Sequence, residues 1–174
     1  IGLENITSNT GEYIPTIEKQ SISSAAVFKQ GNILFSKLRP YLNKVYHAEF
    51  SGKCSTEFHV FEAKNINPKF LTILLRSNIV LVQTKHLMTG NTLPRLQTTD
   101  VENLILPVLS NEEQERIVSI YQKALNDRLK KNEEAKSLLG SIDPLILKNM
   151  GVVLPSKDTY TKENIATLSQ LVSN

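Results

Sequence analysis

The stretch Gly31-Asn32-Ile33-Leu34-Phe35-Ser36-Lys37-Leu38-Arg39-Pro40-Tyr41-Leu42-Asn43-Lys44-Val45 decides how this chain is read. Ile33 to Ser36 has the apolar run of a strand. The chain then turns at once into a basic, aromatic segment stiffened by Pro40. Proline has no N–H for a ladder and biases the residue before it, Arg39, to extended geometry, so a strand break or sheet edge is expected here. A second strand is expected over Leu42 to His47. Lys37, Arg39 and Lys44 offer charge to phosphates, and Arg39 has the fork that can also pair with a guanine edge. Tyr41 and Asn43 put a ring and an amide between them. Arg39 serves equally as a structural arginine tying the turn, and Tyr41 equally as a core residue.

Outward from this stretch, residues 1–27 read as loops and short strands, with Ser8-Asn9-Thr10-Gly11 as a turn cluster. Thr56 to Ala63 is strand-like around Phe58-His59-Val60-Phe61, with His59 expected to be partly exposed. The period then changes from two to between three and four. Phe70, Leu71, Leu74, Leu75, Ile79, Leu81 and Val82 mark helix, with Asn67 as N-cap, Pro68 at its first position and a break at Ser77-Asn78, where Asn78 would cap a second helix. Thr89, Gly90, Asn91 and Arg95 form a polar loop that adds to the candidate surface. Leu104 to Val108 reads as a short buried strand ended by Pro107.

Ser110 with Glu113 is a capping box, and a long helix is expected from Asn111 to about Gly140, about 40 Å at ~1.5 Å per residue. With Val118 as a heptad a position, the seam reads Val118, Tyr121, Leu125, Arg128, Asn132, Ala135, Leu139 and Ile142, and six of these eight are apolar. Asn132 at an a position can fix the register of a helix pair. An amphipathic helix packed on its own domain and an extended helix paired with another both fit this pattern. Gly140 is expected to end the helix, and Ile142-Asp143-Pro144 to start a short one closed by Gly151. The tail reads as a linker with a brief helix near Glu163 to Val172. The expected organisation is a domain over residues 1–110, a spacer or dimerisation helix over 111–142, and a short helix with a linker tail over 143–174.

With 174 residues, 40% hydrophobic and 21% charged, the composition is that of a globular protein. Net charge is +3, and it is uneven: −2 over residues 1–28, +4 over 29–53, +2 over 54–100, −1 over 101–150. The basic excess therefore sits where the opening stretch lies. Cys54 is the single cysteine, which rules out an internal disulfide and a cysteine-based zinc cluster. The lone cysteine, with no apolar run of membrane length and no secretory pattern, points to a cytoplasmic protein. The first residue is Ile1 and not Met, from which an amino-terminal end that is trimmed, processed or unobserved is expected.

No GxGxxG, Walker, GxSxG or HExxH pattern occurs. His47, His59 and His86 lack ligand spacing, so no metal site is expected. Glu62-Ala63-Lys64 and Glu134-Ala135-Lys136 have the form of a metal-nuclease triplet. The first lacks an upstream carboxylate on a neighbouring strand and the second sits in the long helix. A small metal-dependent nuclease and a helical interaction scaffold stand as the rivals to a binding module.

GNILFSKLRPYLNKV, GKCSTEFHVF, GNTLPRL and LILPVLSNEEQERIV, in this order and spacing, resemble the target recognition domain of type I restriction–modification specificity subunits, from about Gly2 to Gly140. IDPLILKNMGVVLP resembles the linker after the first recognition half. The resemblance implies an α/β (α+β) fold, a small mixed-sheet recognition domain followed by a long helix that pairs in an antiparallel coiled coil. It implies a non-catalytic subunit without a cofactor that reads one half of a split double-stranded DNA target, in the cytoplasm and associated with the nucleoid. Its partners would be DNA methyltransferase subunits, an endonuclease/translocase subunit, and a second recognition half or a copy of itself. Methyl transfer from S-adenosylmethionine and ATP-driven cleavage would belong to those partners. The expected DNA contacts are Lys37, Arg39, Tyr41, Asn43, Lys44, Asn91 and Arg95. The expected helix-pairing residues are Val118, Tyr121, Leu125, Asn132 and Leu139. With one recognition domain, the chain is expected to be a fragment, a half-subunit or part of a fused enzyme.

Overall fold

The computed structural model describes residues 1–16, 24–87 and 94–152. The chain divides into two compact units, Ile1–Lys123 and Ala124–Asn174.

In the first unit the decisive strand is β2, Ile33–Ser36, and all four of its residues are buried. It follows β1, Ala25–Phe28, and precedes β3, Val45–His47; β4, Gly52–Ser55, and β5, Phe58–Phe61, come next. Strand β2 lies between β3 and β5, with Ile33 opposite His47 on one side and Phe61 on the other. Side chains alternate across a strand, so burial of the whole run requires both sheet faces to be covered. Leu34 joins Phe28, Tyr46, Cys54 and Phe58 in one core. Ile33 and Phe35 join Val45, Leu75, Val80 and Leu96 in a second. The first core draws on the separate β1–β4 ribbon, in which Ala25 faces Ser55 and Phe28 faces Gly52. The second draws on the helices. Every ladder among the described residues is antiparallel.

Helix α1, Pro68–Leu75, begins where Asn67 accepts from the amides of Lys69 and Phe70 with its side chain, and Pro68 occupies the first position. Helix α2, Asn78–Leu87, starts at Asn78 itself; the carbonyl of Ser77, not the side chain of Asn78, takes the first amides, from Val80 and Leu81. A short α3, Thr98–Glu102, follows.

Leu104–Val108 is not a strand. Leu104 and Leu106 pack on the second core, while Ile105 and Val108 are 79% and 96% exposed. The apolar run has a side chain where a strand partner would be. Gln83 accepts from the amide of Ile105 at 2.9 Å and donates to its carbonyl at 3.0 Å. His59, expected to be partly exposed, is buried and stacks on Phe61. Its ring reaches the Leu96 carbonyl at 3.3 Å, and burial lowers its pKa from 6.5.

Helix α4 runs unbroken over Asn111–Met150, about 60 Å at ~1.5 Å per residue. Its capping box forms as expected, with Ser110 Oγ donating to Glu113 Oε2 at 2.7 Å and accepting from the Glu113 amide. The Ser110 hydroxyl and then the Ser110 amide, both donating to this carboxylate, hold it below its usual pKa. The stop expected at Gly140 and the restart at Pro144 do not occur. A helical proline presses on the carbonyl four residues before it. For Pro144 that residue is Gly140, the residue type whose backbone yields most readily. Both are exposed, so the unbonded Gly140 carbonyl faces water. The helix near Glu163 to Val172, expected from the sequence, lies outside the described residues.

Candidate nucleic-acid interface

The basic stretch after β2 is folded back on itself. Ser36 Oγ donates to the Leu38 carbonyl at 2.7 Å and turns the chain out of the strand. Leu38 then bridges Arg95 in an antiparallel pair, flanked by Arg39 N to Pro94 O and Leu96 N to Lys37 O, both 2.9 Å. Two segments that the sequence keeps apart, 37–39 and 94–96, thus lie side by side. The 3-10 turn Pro40–Leu42 follows.

Arg39 is not extended. It sits at φ 49°, ψ 61°, the left-handed region. Proline after it disfavours the right-handed helical region, and the amide of Leu42 donates to the Arg39 carbonyl at 2.9 Å, which closes the turn. This region costs an L-residue about 1–2 kcal/mol. The Arg39 side chain is exposed and has no hydrogen bond or ion pair among the described residues. Tyr41 beside it is 44% exposed.

The other expected contacts separate into two groups. Lys37 is half-buried and donates from Nζ to the Thr56 carbonyl at 2.9 Å. Arg95 pairs with Glu57 at 2.6 Å, with half of its side chain exposed. These two side chains both reach the β4–β5 turn, at Thr56 and Glu57. Asn43 and Lys44 do not. Asn43 is buried, at φ 52°, and donates to the Arg76 carbonyl at 2.9 Å and to Asn9 Oδ1 at 3.3 Å. Lys44 Nζ donates to the Leu3 carbonyl at 2.7 Å. Both side chains hold the amino-terminal segment to the sheet. Asn91 lies outside the described residues.

A second polar cluster centres on Arg76. Its guanidinium donates to the Thr10 and Thr72 carbonyls and lies 4.9 Å from the centre of the Tyr121 ring. Tyr121 Oη donates to the same Thr10 carbonyl at 3.1 Å. Burial lowers the Arg76 pKa from its usual value. Gly11, at φ +67°, lets the turn approach: a Cβ there would strike the Val45 carbonyl and the Arg76 guanidinium. Tyr121, expected in the helix-pairing seam, therefore anchors α4 to its own domain. Val118 is half-buried in the same unit. In the second unit Leu125 is half-buried, Asn132 is exposed, and Leu129, Leu138, Leu139, Ile142, Leu145, Ile146 and Met150 are exposed apolar residues.

Sequence reading missed two groups. Gln114, buried at the start of α4, accepts from the Asn67 amide and donates to the Leu109 carbonyl, both at 2.9 Å. A glutamine in the apolar phase of a helix was the available signal. Glu57 carries its own signal, an acidic residue in a turn between two strands. Among the described residues no three His, Cys, Asp or Glu side chains gather as a metal site would need, and no helix is long and apolar enough to cross a membrane.

Residues 3–138 match the family described as the type I restriction modification DNA specificity domain. The chain belongs to that family. This specificity domain is similar to the type I restriction enzyme EcoDI specificity subunit of Escherichia coli, 29% identical over 116 residues, which are 67% of this chain and 26% of that one. The HsdS subunit from Thermoanaerobacter tengcongensis superposes with a TM-score of 0.63 at 27% identity, over 88% of this chain and 44% of the other. A chain from a structural study of complex assembly and conformational transition of the type I R-M system gives a TM-score of 0.63 at 26% identity, over 94% and 44%. The specificity domain thus spans about a quarter of the curated relative and less than half of each solved one. The α/β fold with small sheets and a long helix agrees with both solved neighbours.

Proposed function

We propose that this chain is the DNA-reading part of a type I specificity subunit: it recognises one half of a bipartite double-stranded target and performs no catalysis itself. The family match over residues 3–138 carries this reading, because it takes in both the globular unit and most of α4. The reading puts Lys37, Arg39, Tyr41 and Arg95 toward DNA. The strained, exposed Arg39 supports it, since backbone strain concentrates where a side chain has work to do. The later part of α4, with its exposed apolar residues, is the spacer: it pairs antiparallel with a second recognition half or a copy, and methyltransferase subunits dock on the scaffold. The endonuclease/translocase joins those subunits, and the complex acts on the nucleoid in the cytoplasm.

The test is salt-dependent DNA binding by the assembled complex. Replacing Lys37, Arg39 and Arg95 by alanine should weaken binding and flatten the slope of log K against log salt, by about 0.9 for each phosphate no longer neutralised. An unchanged slope would remove this surface from the reading. Lys44→Ala should leave the slope alone and lower stability instead. Deleting residues 124–150 separates the roles: loss of methyltransferase docking with DNA affinity retained is expected.

A further inference from the structure

The turn that carries Arg39 is held at both ends by residues in the left-handed region. Arg39 at φ 49° and Asn43 at φ 52° bracket the 3-10 turn Pro40–Leu42. Strain of this kind persists only where the surroundings over-determine the backbone. At the first end the Arg39 amide donates to the Pro94 carbonyl at 2.9 Å. At the second, Asn43 is 6% exposed and bonded through backbone and side chain alike. Its carbonyl accepts from the Asn9 amide at 3.1 Å. Its Nδ2 donates to the Arg76 carbonyl, just past α1, at 2.9 Å and to Asn9 Oδ1 at 3.3 Å. The turn between the two ends is too short to absorb a shift. The amides of Leu42 and Asn43 bond back to the carbonyls of Arg39 and Pro40, each at 2.9 Å. A displacement of Asn43 therefore moves Arg39. The Arg39 side chain itself is exposed and has no partner among the described residues.

We propose that Asn43 is a positioning residue for DNA: it holds the turn so that the exposed Arg39 guanidinium meets a backbone phosphate of the duplex. This rests on the DNA reading above. The target is a phosphate and not a base edge, because among the described residues nothing sets the plane of the guanidinium. A guanine needs a fork in a set plane, whereas a phosphate accepts a cation from many directions. What a phosphate contact requires is the right place along the backbone, since such contacts fix the register of a protein on the duplex. The clamped turn supplies that place.

The experiment measures duplex binding by the assembled specificity–methyltransferase complex across a salt series, for the parent, Arg39→Ala, Asn43→Gly and the double variant. Glycine suits the positive φ of residue 43, so this variant removes the side-chain bonds and leaves the backbone unstrained. Arg39→Ala should lower the slope of log K against log salt by about 0.9 and the affinity by about tenfold. Asn43→Gly removes no charge, yet should lower the slope by a similar amount. In its background Arg39→Ala should cost less than about twofold. Asn9→Gly removes only the 3.3 Å bond and suits φ 65° at residue 9. It should show the same change in smaller measure, and it takes the place of Asn43→Gly if that variant does not fold. A parental slope in these glycine variants, with the tenfold Arg39 effect retained and only the melting temperature lowered, would make Asn43 a staple of the fold. That result would overturn the inference while the DNA reading stands. A parental slope in Arg39→Ala would overturn both the inference and the place of Arg39 in that reading.

Discussion

Gln114→Ala should loosen the start of α4 from the domain. In the parent, the Gln114 amide is 4% exposed and bonds two backbone groups at 2.9 Å each, the Asn67 N–H and the Leu109 carbonyl. Asn67 caps α1, and Leu109 lies just before the capping box of α4, so one side chain fastens two helix starts together. Truncation leaves a donor and an acceptor without partners, each costing about 1–3 kcal/mol when buried. Water entering the vacated space recovers part of this, and the net loss expected is about 2–4 kcal/mol. At roughly 2–4 °C per kcal/mol for a chain of this size, the melting temperature should fall by roughly 5–15 °C. The chain has no tryptophan, so urea unfolding is followed by far-UV circular dichroism. Gln114→Glu sharpens the test. It keeps an acceptor for Asn67 but sets a carboxylate against the Leu109 carbonyl. At pH 7 it should be no better than alanine. At pH 4, where the protonated carboxyl can donate, it should recover relative to the parent. A Gln114→Ala variant within about 0.5 kcal/mol of the parent, the ordinary range for surface substitutions, would refute the two-ended bond.

Acid should destabilise the first unit before its carboxylates titrate. Burial comes first among the causes that lower the pKa of both His47 and His59 from 6.5. The unfolded chain then binds more protons, so stability is full above about pH 6.5 and declines as pH falls through the folded values. Unfolding midpoints that stay flat from pH 7 to 5 would contradict this. Tyr121→Phe should cost about 0.5–1.5 kcal/mol in urea unfolding, the worth of its bond to Thr10, and Tyr121→Ala clearly more, since the ring over Arg76 goes too. Pro144→Ala should strengthen the end of α4 by about 3 kcal/mol locally, seen as slower amide exchange over residues 140–148.

How much of this was written in the sequence depends on how far apart the interacting groups lie. Asn67-Pro68 and Ser110 with Glu113 announced their helix starts, because capping is settled within four residues. The burial of β2 was legible as an apolar run. Its sheet order was not, since β5 closes the sheet from more than twenty residues away. The bonds of Asn43 and Lys44 were not legible, because their partners, Arg76, Asn9 and Leu3, lie 33 to 41 residues off. Leu104–Val108 has the composition of a strand and receives a glutamine in place of a partner. Pro144 has the look of a helix stop because the relief that Gly140 gives depends on the helix already being there. At the candidate interface the basic residues were visible in the sequence and the pairing of Glu57 with Arg95 was not, because the two lie 38 residues apart.

The Gly140–Pro144 pair also sets where α4 gives way. Every other turn of the helix interior is tied by backbone rungs; here one rung is missing and the residue facing the gap is a glycine, with the softest backbone of any residue type. A protease probing the surface of α4 meets its least resistance at that point.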